Sequence, residues 1–355
     1  MEFSPAARFL IVAGALVVVI AGMRTAAPLL TPFLLAVFIA IITSPLLLWL
    51  KRRYLPLWAS LLVVIALLVG LGGLIISLIS GSLDRFLVSL PDYQARLKVL
   101  TEELVDWLDG IGLHVPRDAL TTYINPADAM GIAGDVISGV GSALTNALLI
   151  LLTVIFILLE ATGLPAKLRA ALKSPEVALA RLDHVLVNVN RYMMIKTMTS
   201  LTTGLLVWLW LTAIGVDFAV LWSLGAFLLN FVPTIGSFVA AIPAVLLALV
   251  QLDVEAALWV SLGYVVINVA IGNFVEPRFM GRGVGLSTLV VFFSLVFWGW
   301  VLGPVGMFLS VPMTMALKIA LDANPDTRPI AILLGPDIGS LEPAPPEGPP
   351  EVERA

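Results

Sequence analysis

One apolar stretch carries polar residues that its composition does not explain. Tyr264, Asn268, Gly272 and Glu276 stand at i, i+4, i+8 and i+12. That spacing puts them on one face of a helix. Asn273 lies beside the row, and Glu276-Pro277-Arg278 is expected to close the helix. Side-chain amides both donate and accept hydrogen bonds. A carboxylate inside or at the edge of a membrane span is costly and points to function. Glu276 has a second reading of equal weight, a helix-end ion pair with Arg278 or Arg282. Asn230 either coordinates a polar solute or makes an interhelical hydrogen bond. Thr199, Ser200, Thr202 and Thr203 enrich the start of the preceding span, where small polar residues usually serve helix packing. Lys196 is expected to snorkel toward the interface.

Other chemistries lack their residues. The chain has no cysteine, so it offers no thiolate metal or redox site. His114 and His184 fall in separate polar segments without metal-ligand spacing. No HExxH, P-loop or GxSxG pattern occurs. Neither an enzyme nor an ATP-driven pump is supported, and no cofactor or metal is expected. A net charge of -4 is too mild to suggest a nucleic-acid partner.

The elements that must hold these residues are membrane spans. The 355 residues are 60% hydrophobic and 12% charged, with a mean hydropathy of +1.04. A soluble domain carries about 25% charged residues. No Lys or Arg occurs between Lys196 and Arg278, and no charge at all between Gly283 and Leu317. A bilayer core needs roughly 20 apolar residues as a helix. Residues 27–50, 55–83, 136–159, 197–216 and 256–275 meet that need. Residues 9–23 are shorter and are expected to be an uncleaved first span rather than a signal peptide.

Two segments leave the membrane. Residues 84–135 hold nine acids and four bases. Ser89-Leu90-Pro91 signals a helix start there, Leu97, Leu100, Leu104, Leu108 and Ile111 keep helical spacing, and Asp109-Gly110 signals the end. Residues 161–196 hold six bases and two acids. Ser174-Pro175 opens an amphipathic helix with Leu182, Val185, Leu186 and Val189 inward, expected to lie along the membrane surface. With the N-terminus in the cytoplasm, ten bases fall inside and five outside up to Lys196. Residues 336–355 read as a disordered, Pro-rich acidic tail, also cytoplasmic.

Two runs, 218–252 and 283–317, are 35 residues each. A continuous helix of that length would measure about 53 Å, too long for one crossing. Each has a breaker near its middle: Pro233, Thr234, Gly236 and Ser237 in the first, Pro304 and Gly306 in the second. Each therefore reads as two half-helices meeting at an irregular tip, or else as kinked or paired ordinary spans. Freed backbone groups at such tips are tolerated only against protein or a watery cavity. A span precedes each run, and the two units have opposite topology. Paired broken segments in inverted repeats point to a transporter site. The expected fold is all-α: a polytopic transmembrane helical transporter with two broken-helix hairpins in an inverted repeat. Its plan is a three-span scaffold (1–83), an extracytoplasmic helical insert (84–135), a fourth span (136–160), a cytoplasmic amphipathic helix (161–196), a transport core (197–320) and a tail (321–355).

Residues 230–237, Asn-Phe-Val-Pro-Thr-Ile-Gly-Ser, running into AAIPAVLLAL, resemble the autoinducer-2 exporter family of PerM-like permeases. So does GNFVEPRFMGRGVGLSTLVVFFSLVFWGWVLGPVGMFLSVP at 272–312, with AILLGP at 331–336 closest to the quorum-signal exporter branch. The likeness is strong over 220–336 and mainly topological over 1–200. It implies a bacterial inner-membrane transporter that exports autoinducer-2, a small furanosyl-type signal, without ATP. It also implies a homopentamer whose core moves like an elevator with the hairpins as gates. Asn230, Asn268 and Asn273 would bind such a solute. Some members resemble sodium/proton antiporters, a reading that Glu276, and less so Asp217 or Asp253, would serve. A non-transporting scaffold leaves the paired breaks unexplained.

Overall fold

The structure is a computed structural model that describes residues 4–53, 55–112, 146–171, 175–233, 235–280 and 285–336. It is helical, with no strand among the described residues. Helix α1 (Pro5–Thr25) starts where the Ser4 hydroxyl accepts from the Ala7 amide and Pro5 presets the first turn. Helices α2 (Ala27–Arg52) and α3 (Leu57–Gly110) follow. Next come α4 (Ala147–Ala161) and α5 (Leu164–Ala171), bent by 57° to each other. Helix α6 (Pro175–Ile214) leads into α7 (Ala219–Leu229) and α8 (Ile235–Gln251). Helix α9 (Val254–Val269) passes through a π-helical turn (Ala270–Val275) into α10 (Glu276–Met280). The last described helices are α11 (Thr288–Leu302), α12 (Pro304–Asp322) and the short α13 (Arg328–Leu333).

Among the described residues, Ala27–Arg52, Leu57–Ser82, Pro175–Ile214, Val254–Phe279 and Pro304–Asp322 are long and apolar enough to cross a bilayer. The bent pair α4–α5 makes a sixth. Large apolar side chains stand exposed along these helices, among them Leu62, Leu67, Leu205, Leu209, Leu258 and Val265. In water that surface would be unstable; against lipid tails it costs nothing. The chain is a multi-span membrane protein.

The spans expected at 27–50, 55–83, 197–216 and 256–275 lie in α2, α3, α6 and α9 with its π turn. Of 136–159, residues 147–159 fall in α4 and 136–145 lie outside the described residues. Three sequence expectations need correction. The helix start at Ser89-Leu90-Pro91 does not occur, because α3 runs unbroken to Gly110 with Pro91 inside it. The surface helix over 174–196 opens at Pro175 as expected but continues without a break into the next span. Of its inward set, Val189 is buried, Leu182 and Val185 are half-buried, and Leu186 is exposed. Third, Glu276-Pro277-Arg278 does not close its helix, which reaches Met280. All three share one cause. A helix satisfies its own backbone in lipid and in water alike, so crossing the interface gives no reason to stop. Trp298 is buried, and its indole donates to the Thr314 hydroxyl over 3.0 Å.

One end of the bundle is stitched by polar contacts. The Gln251 amide donates to the Gly215 carbonyl (3.1 Å) and accepts from the Asp217 amide (2.8 Å). Tyr93 on α3 donates to Asp217 over 2.9 Å. Burial and that carboxylate push the Tyr93 phenol up to about 12. Beneath, Phe86 meets Phe218 and Trp222 edge to face at 5.5 and 5.6 Å. Leu211, Leu247 and Val260 complete this core. A second core joins α2, α3 and α4 through Ala36, Leu61 and Val154.

Each 35-residue run contains two helices in contact with each other, α7 with α8 and α11 with α12. The first pair parts at 230–234 and the second at Gly303. One glycine in each pair sits where no side chain fits. A Cβ on Gly236 would lie 1.8 Å from the Leu229 carbonyl oxygen, and one on Gly306 2.0 Å from that of Trp298. Gly225, within α7, meets nothing within 4 Å. Gly236→Ala and Gly306→Ala are each expected to lower stability in detergent by at least the roughly 1–3 kcal/mol of an overpacked core. Gly225→Ala is expected to leave the thermal midpoint unchanged or raise it. Equal midpoints for all three would refute the close approach.

Candidate functional site

The polar row of α9 opens into a cavity of about 490 Å³ between α6, α8, α9 and the break that joins α7 to α8. That size suits a small organic solute. Its wall is apolar on one side, with Val232, Phe238, Ala241 and Val245 from the first break and α8. Ser261, Tyr264, Asn268, Gly272, Asn273 and Glu276 face it from α9 through α10, and Lys196 from α6. Asn230, Pro233 and Ser237 line it from the break between α7 and α8.

The row stays aligned because of the π turn. Tyr264 and Glu276 are three four-residue steps apart. In a plain α-helix those steps overshoot three turns by about 120°. The wider i to i+5 spacing over Ala270–Val275 takes back part of that rotation. Both ends of the row therefore reach one cavity.

Glu276 does not pair with Arg278 as the helix-end reading had it; Arg282 lies outside the described residues. Its partner is Lys196, whose ammonium donates to Oε1 at 2.9 Å and Oε2 at 3.1 Å. The two side chains are 7% and 17% exposed. Lys196 therefore does not snorkel. Its charge is met inside the protein by a residue 80 positions away. A buried pair closes to neutrality within the site, and removing one partner strands the other.

Asn230 donates to the Ser200 hydroxyl over 2.9 Å, so it makes the interhelical bond and lines the cavity as well. Asn268 donates one amide hydrogen to the Tyr264 carbonyl over 2.8 Å. Its amide oxygen and second N–H remain for other partners. The Tyr264 hydroxyl is buried with no hydrogen-bond partner among the described residues, an arrangement that costs free energy unless a ligand or water completes it. Sequence spacing placed Tyr264 on the row but gave it no ligand role. Lys196 was missed as a site residue, because nothing local to it announces Glu276.

The remaining expected site residues lie apart. Gly236 is buried at the start of α8 under the Leu229 carbonyl. Pro304 and Gly306 begin α12 and do not line this cavity. Thr234 lies outside the described residues. Among the described residues, no three His, Asp or Glu side chains converge as metal ligands would.

The ion pair sets a stability test. Lys196→Met and Glu276→Gln, each alone, are expected to cost about 3–5 kcal/mol in unfolding measurements in detergent. The double variant is expected to recover much of that loss, because no charge is left unpaired. A strictly additive double variant would show that the two groups are not coupled.

Comparison with known proteins agrees with this architecture. Residues 11–326 match the family described as AI-2E family transporter. The AI-2 transport protein TqsA of Escherichia coli K12 is 40% identical over 327 residues, covering 92% of this chain and 95% of that protein. The putative transport protein YhhT of the same strain is 37% identical, covering 90% and 92%. Putative transport protein YrrI of Bacillus subtilis is 26% identical, covering 82% and 85%. With a family match over most of its length and close relatives that it spans almost end to end, the chain belongs to the AI-2E family of transporters.

Proposed function

We propose that this chain exports a small, neutral, hydroxylated solute across a bacterial inner membrane, and that the solute is AI-2. The observation that carries the reading is the cavity at the first break. Its amides and hydroxyls lie in a row against an apolar wall, and among the described residues its charges are the paired Lys196 and Glu276. Such a surface favours a neutral polar molecule over an ion. The name of TqsA supports AI-2 as that molecule.

The mechanism uses what the chain already holds. Asn268, Asn273 and the Tyr264 hydroxyl hydrogen-bond the solute, and Asn230 and Ser237 close over it from the tip. Pro233, Thr234 and Gly236 in the first tip, and Pro304 and Gly306 in the second, let each helix pair act as a re-entrant gate. The units α6–α8 and α9–α12 form an inverted repeat, so one gate opens outward and the other inward. This core moves like an elevator against α1–α4, in a homopentamer with both termini cytoplasmic. No ATP is consumed. A cation/proton antiporter of the same family needs a carboxylate free to trade a proton for a cation. Glu276 already has Lys196 as its counter-charge, so support for that reading is weaker.

Proteoliposomes loaded with AI-2 give the test. Efflux is expected without a pH or sodium gradient. Asn230→Ala and Tyr264→Phe should each slow it roughly three- to tenfold, the worth of one neutral hydrogen bond. An absence of AI-2 flux, together with gradient-driven proton movement lost in Glu276→Gln, would overturn export in favour of antiport.

A further inference from the structure

A second cavity, of about 270 Å³, lies between α6 and α12. His184, Asn188 and Arg191 line it from α6, and Lys318 and Asp322 from α12. Its volume is below the roughly 300–1,000 Å³ usual for whole organic ligands. We propose that it binds a phosphate group, as carried by an anionic phospholipid headgroup or by free phosphate.

Four observations support the site. His184, Asn188 and Arg191 stand at i, i+4 and i+7, on one face of α6. Arg191 is exposed and has no hydrogen bond or ion pair among the described residues. Its guanidinium therefore presents a whole fork of donors to the cavity, the geometry that suits phosphate oxygens. Lys318 is half-buried and donates to the Gly285 carbonyl. An ammonium has three donors, so two remain. Asp322, the one acid on the lining among the described residues, is met by Arg328 at 3.6 Å. The lining thus offers two cations with spare donors and one carboxylate that already has a counter-ion.

The depth is right for a headgroup. Lys318 lies one turn before the end of α12, and Arg191 lies in the first half of α6, toward the base-rich end of the bundle. With the bilayer core placed on the apolar runs 197–216 and 283–317, Arg191 and Lys318 fall just outside it, where basic pockets between spans hold anionic headgroups. The solute cavity is separate, with Lys196 turned to Glu276 instead.

The experiment uses the full chain in nanodiscs, with lipid retention read by native mass spectrometry and thermal midpoints recorded in parallel. Wild type is expected to retain phosphatidylglycerol roughly tenfold over phosphatidylcholine. Arg191→Gln should lose that preference, and Arg191→Lys should keep part of it. Arg191 is exposed and unpartnered, so the variant's midpoint in phosphatidylcholine discs should match wild type. Millimolar inorganic phosphate that displaces phosphatidylglycerol, or alone raises the midpoint of wild type but not of Arg191→Gln, identifies free phosphate as a ligand. Retention unaffected by phosphate identifies the headgroup. A wild type with neither lipid preference nor phosphate response, or an Arg191→Gln protein that keeps either, would overturn the site.

Discussion

A buried ammonium and a half-buried carboxylate, 2.9 Å apart, set the terms for this molecule. Neither charge could enter a low-dielectric interior alone. Lys196 sits where α6 carries on from its polar first half into its apolar second, and Glu276 sits where α9 emerges from its π turn. Their contact fixes α6 against α9 and α10. That in turn sets the distance between the amide row and the first break, and so the width of the cavity. The pair also removes net charge from the site. What is left is a set of neutral donors and acceptors against an apolar wall, in a chain whose family moves solutes across membranes.

Much of this was legible because it depends on local pattern. Uncharged runs of the right length became α2, the first part of α3, the end of α6, and α9. The breakers Pro233, Gly236, Pro304 and Gly306 fall at or beside the junctions α7–α8 and α11–α12. The row Tyr264, Asn268, Gly272 and Glu276 does face one cavity. The spacing argument alone did not justify that, since an ideal helix would have rotated Glu276 away. The π turn supplies the missing rotation, and no residue-type signal distinguishes it from ordinary helix.

What stayed hidden was set by contacts distant in sequence. Lys196 looks like an interface lysine by its neighbours, and its partner lies 80 positions on. Ser89-Leu90-Pro91 carries every local sign of a helix start. Phe86 and Tyr93 on either side of it are held in one core, however, and α3 stays continuous. The amphipathic stretch before Lys196 looked like a surface helix because its charges change there. Charge changes the solvent a helix prefers, not its hydrogen bonding.

The length of α3 has a mechanical consequence. Its 54 residues span about 81 Å, and the 28 beyond Ser82 account for about 42 Å of that. Tyr93 pins this arm to Asp217 part of the way along, at the joint between α6 and α7. Leu97 and Leu100 extend that anchorage into the same core, and about 15 Å of helix lies between Leu100 and Gly110. Any angular displacement at the joint is magnified along that length. A rearrangement of α7 too small to see at the cavity would grow with distance along that arm.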